Sequence, residues 1–192
     1  MLNLKKVLHT YVYSGLRFLP GNLGSILRVN LYRSIGIKIG KGTHIEVGAK
    51  LDSSKVVIGK NVHIGEFSYI SAGVVIEDRV NINSNVQIVT SPGGSVTVGK
   101  DSLIGQNVVI RANDHNFSNL EIPINKQGHL GGEIIIGKNV WLAANVVVTR
   151  NTSIGDGSVI GAASVVTEDI PTNCVAVGAP ARRVKLRSSN NL

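Results

Sequence analysis

Five histidines, His9, His44, His63, His115 and His129, and a single cysteine, Cys174, are the side chains best able to do acid–base or nucleophilic chemistry here. An imidazole titrates near neutral pH, so it can take up and return a proton under ordinary conditions. His115 stands apart from the others. It sits in Arg111-Ala112-Asn113-Asp114-His115-Asn116, where a regular pattern gives way to a long irregular stretch. Its position leaves two readings, a catalytic base or an imidazole that anchors a loop. The neighbouring Asp114 could orient the ring or touch a substrate, and a backbone carbonyl could orient it equally well. His44 and His63 close regular repeats and read as exposed face residues. His129 lies inside the irregular stretch and reads as structural or solvent-exposed. Cys174 has no histidine near it in sequence and reads as a packing residue. One cysteine cannot form an internal disulfide or a Cys-rich zinc site. A zinc carbonic anhydrase would need three convergent histidines; His115 and His129 have no evident third partner, so no metal is expected.

The element that must hold His115 is read from a repeat. Aliphatic residues recur every six positions: Ile58, Ile64, Ile70, Ile76, Ile82 and Ile88; then Val98, Ile104 and Ile110; then Ile136, Leu142, Val148, Ile154, Ile160 and Val166. Ile39 and Ile45 lead in. Gly often follows, as in Ile58-Gly59 and Ile104-Gly105, and a small or β-branched residue often stands four positions on, as at Val62, Ser68 and Ser158. A helix at 3.6 residues per turn would carry every sixth side chain off its face. Short strands joined by Gly, Asn and Asp corners keep it in place, and inward aliphatic stacks then stabilise one rung against the next. The period predicts an all-β solenoid. Two interruptions matter. Ile88 to Val98 encloses Ser91-Pro92-Gly93-Gly94, a small corner loop. Ile110 to Ile136 spans twenty-six residues, and its segment 113–132 reads as a loop ejected from the coil. A long loop in a tight solenoid usually carries function.

The repeat, together with Ile136-Gly137-Lys138-Asn139-Val140-Trp141 after the loop and Val177-Gly178-Ala179-Pro180-Ala181-Arg182 near the end, resembles the hexapeptide-repeat acetyltransferases. The likeness is to their sugar O-acetyltransferase type, galactoside, maltose and polysaccharide-modifying. The resemblance implies a left-handed parallel β-helix with three hexapeptides per coil. It implies acetyl-CoA as acyl donor and a saccharide as acceptor, with His115 taking the proton of the acceptor hydroxyl; the basic, apolar N-terminus adds lipid-linked glycans of surface polysaccharide synthesis as the expected acceptors. Asn85 matches an acceptor-binding Asn; the other reading is a corner Asn in the left-handed backbone conformation. The galactoside type has acidic residues soon afterwards, whereas Thr90 and Ser91 stand here, so a different acceptor is expected. Trp141 matches a Trp beside the pantetheine arm, and Ala144 and Ala162 match small residues that flank it. Thr167 and Glu168 match a pair near the nucleotide, where the family often has Lys in place of Glu168. Arg182 and Lys185 match cations for the CoA phosphates. Three chains are expected to pack side by side, with each site between two of them. An N-acetyltransferase on an amino sugar or a xenobiotic acetyltransferase would share fold and base. A purely structural or surface-binding solenoid would need a regular Thr-rich face, which is absent.

Composition sets the remaining bounds. The chain has 192 residues, 43% hydrophobic but only 4% aromatic, so its core is aliphatic. The net charge of +8 favours an anionic partner, such as a phosphate-bearing substrate, an acidic glycan or a lipid surface. Nothing accompanies that charge to suggest nucleic-acid binding. Leu4, Val7, Leu8, Tyr11, Val12 and Leu16 could share a helical face near Lys5 and Lys6, packed on the domain or lying against anionic lipid. No run approaches the length of a membrane span, and no signal peptide is evident. A cytoplasmic enzyme is the expectation, and the lipid reading of the N-terminus would add peripheral contact at the inner face of a membrane. The organisation expected is a helical segment over 1–38, a β-helix over 39–187 and a tail over 188–192.

Overall fold

The chain in this computed structural model is described over residues 13–52 and 55–188. It winds as a parallel β-solenoid of about seven turns. The six-residue series divides among three sheets, because consecutive repeats occupy successive faces and every third one stacks. The first face runs Lys38–Ile39, Val57–Ile58, Val74–Ile76, Ser95–Val98, Glu133–Ile136 and Thr152–Ile154. The second runs His44–Ile45, His63–Ile64, Asn81–Ile82, Leu103–Ile104, Trp141–Leu142, Val159–Ile160 and Cys174–Val177. The third runs Lys50–Leu51, Tyr69–Ile70, Gln87–Val89, Val109–Arg111, Val147–Val148 and Val165–Val166.

Each face buries one column. On the second, Ile45, Ile64, Ile82, Ile104, Leu142 and Ile160 stand in register, all fully buried. On the third, Leu51, Ile70, Ile88, Ile110, Val148 and Val166 do the same. Corners are turned by one residue in the left-handed region. Between the first and second faces these are Gly42, Asn61, Arg79, Asp101, Asn139, Gly157 and Asn173, with φ from 52° to 74°. Asn and Gly tolerate that conformation, which accounts for their recurrence in the repeat. The small residue that follows is buried. Where it is Ser it clamps the coil above: Ser102 Oγ donates to the Gly137 carbonyl and accepts from the Val140 N–H.

The helix Gly21–Ser34 closes the lower end of the prism. Pro20 stands immediately before it, and residues 13–17 are also helical. Buried Arg28 donates to the Leu19 and Ile45 carbonyls, and Tyr32 donates to the Ala49 carbonyl while accepting from the Leu51 N–H. The lowest coil therefore finds partners for ladder groups that no further rung meets. Of the helical face expected near the N-terminus, Leu16 alone is described. Leu4, Val7, Leu8, Tyr11 and Val12 lie outside the described residues, as do His9 and the tail beyond Ser188.

The spacings longer than six residues all fall at the third–first edge. Leu51 to Ile58, Ile88 to Val98 and Ile110 to Ile136 are seven, ten and twenty-six residues, and each leaves the third face for the first.

Candidate functional site

The long insertion is a β-hairpin. Asn113–His115 pairs antiparallel with His129–Gly131, with His115 directly opposite His129. The Asn116 N–H donates to the Gly128 carbonyl and the Gly132 N–H to the Ala112 carbonyl. By the alternation of an antiparallel ladder, His115 and His129 form a non-hydrogen-bonded pair, the closer of the two kinds. Their rings meet, with centroids 4.3 Å apart and planes tilted by 43°. Both residues are exposed.

Strand alternation puts Asn113, His115, His129 and Gly131 on one side of the hairpin, and Asp114 and Leu130 on the other. Two contacts orient these sides. A side chain at Gly131 would meet the backbone of Gly93 and Gly94 at 2.7 Å, so the histidine side is turned towards the Ser91–Gly94 corner one coil below. A side chain at Gly132 would meet Asn151 and Arg150 of the coil above. Asp114 faces that way too, since its Oδ2 accepts from Arg150 Nε at 2.9 Å. The residue that could have oriented the imidazole is thus engaged elsewhere.

The same Ser91–Gly94 corner lines a pocket of about 310 Å³, to which the hairpin itself contributes no residue. Asp52, Tyr69, Ser71, Thr90 and the Ser91–Gly94 corner contribute to its lining. Its polar groups form a network. Tyr69 donates to Asp52 Oδ2 at 2.9 Å, Ser71 and Thr90 share a hydrogen bond of 3.1 Å, and Lys50 pairs with Asp52 Oδ1 at 3.2 Å. Partial burial and the Asp52 carboxylate push the Tyr69 phenol above its ordinary pKa. Two buried oxygens at this junction, Ser91 Oγ and Asn113 Oδ1, find no partner among the described residues.

A second concavity, of about 510 Å³, runs along the upper second face. Leu103, Trp141, Val159 and Val175 wall it, and Lys185 and Arg187 stand at its end. Leu103, Trp141, Val159 and Val175 stack in register, and Trp141 is 50% exposed. Lys185 arrives because Arg182–Leu186 folds back antiparallel onto Cys174–Val177. The result is an apolar strip ending in two cations.

The sequence-derived residues therefore fall into three groups. His115 and Asp114 lie on the hairpin at the third–first edge, with Thr167 exposed at the same edge two coils above its root. Asn85, Ala144 and Ala162 lie on the second–third edge, where the Ala163 N–H donates to the Ala144 carbonyl. Asn85 is a left-handed corner residue, φ 59°, with an exposed side chain. Trp141 and Lys185 share the groove, and Arg182 is held by Glu168 at 2.9 Å. Within one chain these groups do not form a single cleft. Sequence reasoning missed the hydroxyl pocket, the Arg150 contact and the meeting of His129 with His115. The last had a faint signal: two histidines equidistant from a loop tip become neighbours if the loop is a hairpin.

Comparison with known proteins covers most of the chain. Residues 55–90 and 133–168 match the bacterial transferase hexapeptide (six repeats) family. Galactoside O-acetyltransferase of Escherichia coli is 35% identical over 67% of this chain and 62% of its own length. The putative colanic acid biosynthesis acetyltransferase WcaF of E. coli is 30% identical over 83% of this chain and 75% of its own. The chain thus spans less than two thirds of galactoside O-acetyltransferase and about three quarters of WcaF. AntD, an N-acyltransferase from Bacillus cereus solved with dTDP and 3-hydroxybutyryl-CoA, superposes with a TM-score of 0.75 at 25% identity, covering 83% of this chain and 88% of that one. With its seven-turn solenoid and these matches, the chain belongs to the hexapeptide-repeat acetyltransferase family, whose fold is the left-handed parallel β-helix.

Proposed function

We propose that this chain is an acetyl-CoA-dependent O-acetyltransferase that acts on a saccharide hydroxyl in surface polysaccharide biosynthesis, with His115 as its general base. One observation supports the reading: the hairpin that carries His115 is seated, through Gly131, on the Ser91–Gly94 corner, and that corner also lines a pocket of hydroxyls and a carboxylate. Tyr69, Ser71, Thr90 and Asp52 offer both donors and acceptors, as a polyol requires. Ser91 Oγ and Asn113 Oδ1, buried without a partner among the described residues near this corner, are groups that an ordered water would satisfy.

An alcohol is a weak nucleophile near neutral pH and must lose its proton as it attacks. The acceptor oxygen bonds to the thioester carbonyl carbon while His115 takes its proton. The carbon–sulfur bond then breaks, and the proton passes to the departing thiolate. The donor's place is the groove along the second face. Its apolar wall with Trp141 suits a pantetheine arm, and Lys185 and Arg187 suit phosphates. Small side chains at Ala144 and Ala162 let an extended arm lie against the second–third edge. Thr167 and Arg182 stand towards the nucleotide, with Glu168 already neutralising part of the Arg182 charge. Asn85 contributes to the acceptor from its corner. Asp114 lies on the side of the strand away from His115, so its work is to pin the hairpin through Arg150 and not to bind the acceptor.

Because hairpin and groove lie on different parts of the prism, a homotrimer supplies what one chain does not: the hairpin of one subunit meets the groove of the next. WcaF and galactoside O-acetyltransferase favour a sugar hydroxyl by their names; AntD, an N-acyltransferase of the same fold, keeps an amino-sugar acceptor as the second reading. Among the described residues no helix is long and apolar enough to cross a membrane. Exposed Phe18, Leu23 and Ile26 beside Arg17 and Arg33 favour peripheral contact with anionic lipid at the cytoplasmic face.

Radiolabelled acetyl-CoA offered with a panel of neutral, acidic and amino sugars and glycans tests the reading. Acetyl ester formation that is lost in His115→Ala is expected. Label on an amine alone would move the assignment to N-acetyl transfer, and no transfer to any acceptor would reject it. Replacing exposed Phe18, Leu23 and Ile26 with Ser, which leaves the buried face of the capping helix intact, is expected to weaken co-sedimentation with anionic vesicles; unchanged co-sedimentation would remove the membrane part.

A further inference from the structure

We infer that His129 is a positioning residue for His115: its ring holds the general base in one orientation on the hairpin. The inference rests on the proposed role of His115 and adds to it a residue that neither repeat nor motif singled out.

A base works only if its nitrogen already points at the proton it will take, and small misplacements are costly. Buried bases are aimed by packing, and many histidines by a hydrogen bond from the second ring nitrogen. Among the described residues His115 has neither: it is exposed, and Asp114 is on the opposite side of the strand, bonded to Arg150. Among the described residues, the contact that its ring makes is with His129, at 4.3 Å between centroids. The hairpin register secures that contact, since the two residues are cross-strand neighbours in the close, non-hydrogen-bonded kind of pair. The register is secured in turn at both faces. Gly131 rests on Gly93 and Gly94, which leaves no room to slide, and Arg150 ties Asp114 above. A ring packed against one side of the His115 imidazole removes rotamers that an exposed side chain would otherwise sample. The ring opposite His115 is thus part of the site, although by sequence it reads as an exposed loop residue.

The test compares His129→Ala, His129→Phe and His115→Ala for acetyl-CoA turnover with the best acceptor of the glycan panel. Mobility of the His115 ring is followed in parallel by NMR relaxation of its carbon-bound protons. His129→Ala is expected to lower kcat about tenfold. Its KM for acetyl-CoA and its melting temperature should stay unchanged, and the His115 ring should become more mobile. His129→Phe, which keeps a flat ring, should restore most of kcat and the rigidity. A wild-type kcat in His129→Ala, or a His129→Phe as slow as the alanine variant, would overturn the inference. So would a full further loss when His129→Ala is added to His115→Ala, since His129 would then act without the base. Wild-type turnover in His115→Ala would instead reject the base assignment, and the ring-mobility comparison would still decide whether His129 holds the neighbouring ring.

Discussion

Two edges of the same prism are built from the same repeat and have opposite characters. The second–third edge is unbroken: the N–H groups of Asn85, Asn107, Asn145 and Ala163 donate in turn to the Glu66, Ser84, Gln106 and Ala144 carbonyls of the coil below. The third–first edge is interrupted three times and carries the pocket and the hairpin. The contrast shows how a solenoid makes room for chemistry. Each rung is held by its two neighbours only, so one corner can be opened if the ladder closes beneath it. Here the Gly132 N–H bonds to the Ala112 carbonyl, and the Ser95 N–H to the Gly132 carbonyl, which stitches the root of the hairpin to the wall. One edge supplies rigidity; the other supplies groups with no neighbour above them in the repeat.

The sharpest way to break this comparison is His115→Ala. Turnover should fall by about 10²- to 10⁴-fold with an unchanged melting temperature, because the exposed ring supports no core contact. A variant that unfolds early, or one that keeps near-wild-type turnover, would mean that the interrupted edge is structural after all. The next test uses glycines on both edges. Gly131→Ala places its new carbon 2.7 Å from the Gly93 and Gly94 backbone, so the hairpin must lift. Turnover should drop roughly tenfold to a hundredfold, with little loss of stability. Gly65→Ala places its carbon 2.4 Å from the backbone of Asn83 at the unbroken edge. There the loss should appear as about 1–3 kcal/mol of stability, with turnover per folded molecule preserved. If both glycines gave the same profile, the division of labour between the edges would not hold.

Legibility in the sequence follows the same division. The regular edges could be read from Ile58 onwards because each hexapeptide states its own structure: an inward aliphatic residue, a corner Asn or Gly, a small residue after it. His115 could be found because it stands where that statement stops. What followed could not be read in the same way. The segment 113–132 has no period, and its pairing depends on a tip, residues 116–128, whose turn chemistry does not fix a register. The side on which Asp114 faces was invisible, since a neighbour in sequence is on the opposite side in a strand; adjacency suggested help for the imidazole, and the fold gave Asp114 to Arg150. The hydroxyl pocket escaped notice for another reason. Asp52, Tyr69, Ser71 and Thr90 come from three coils, each occupying an ordinary repeat position, and stacking alone brings them together.

Asp114→Asn sharpens the comparison at smaller amplitude. The Arg150 contact is half exposed, with side-chain exposures of 26% and 48%, so its loss should cost below about 1 kcal/mol. Its purpose at this edge is aim, and turnover is expected to fall about threefold, within the reach of a small shift in geometry. The parent enzyme in high salt should approach the variant, because screening weakens a surface pair. A variant that binds acceptor much more weakly at unchanged kcat would instead give Asp114 a direct contact with substrate.

The smallest effect belongs to the first–second edge, which is also unbroken. Arg79 and Asp101 are its left-handed residues on consecutive coils, joined by two hydrogen bonds of 2.6 and 2.9 Å. Bonding to Arg79 holds the Asp101 carboxyl below its ordinary pKa. A carboxyl with a depressed folded pKa contributes stability that is present above its unfolded value, near 3.9, and lost as pH falls through the lower folded value. Asp101→Asn isolates this contribution, because Asn already turns the same corner at Asn61 and Asn139. The variant should melt slightly below the parent at pH 7, and the gap should close as the pH is lowered past the carboxylate range. A gap that persists in acid would trace the effect to backbone geometry instead of charge. The corner would then be held, like its neighbours, by the repeat alone.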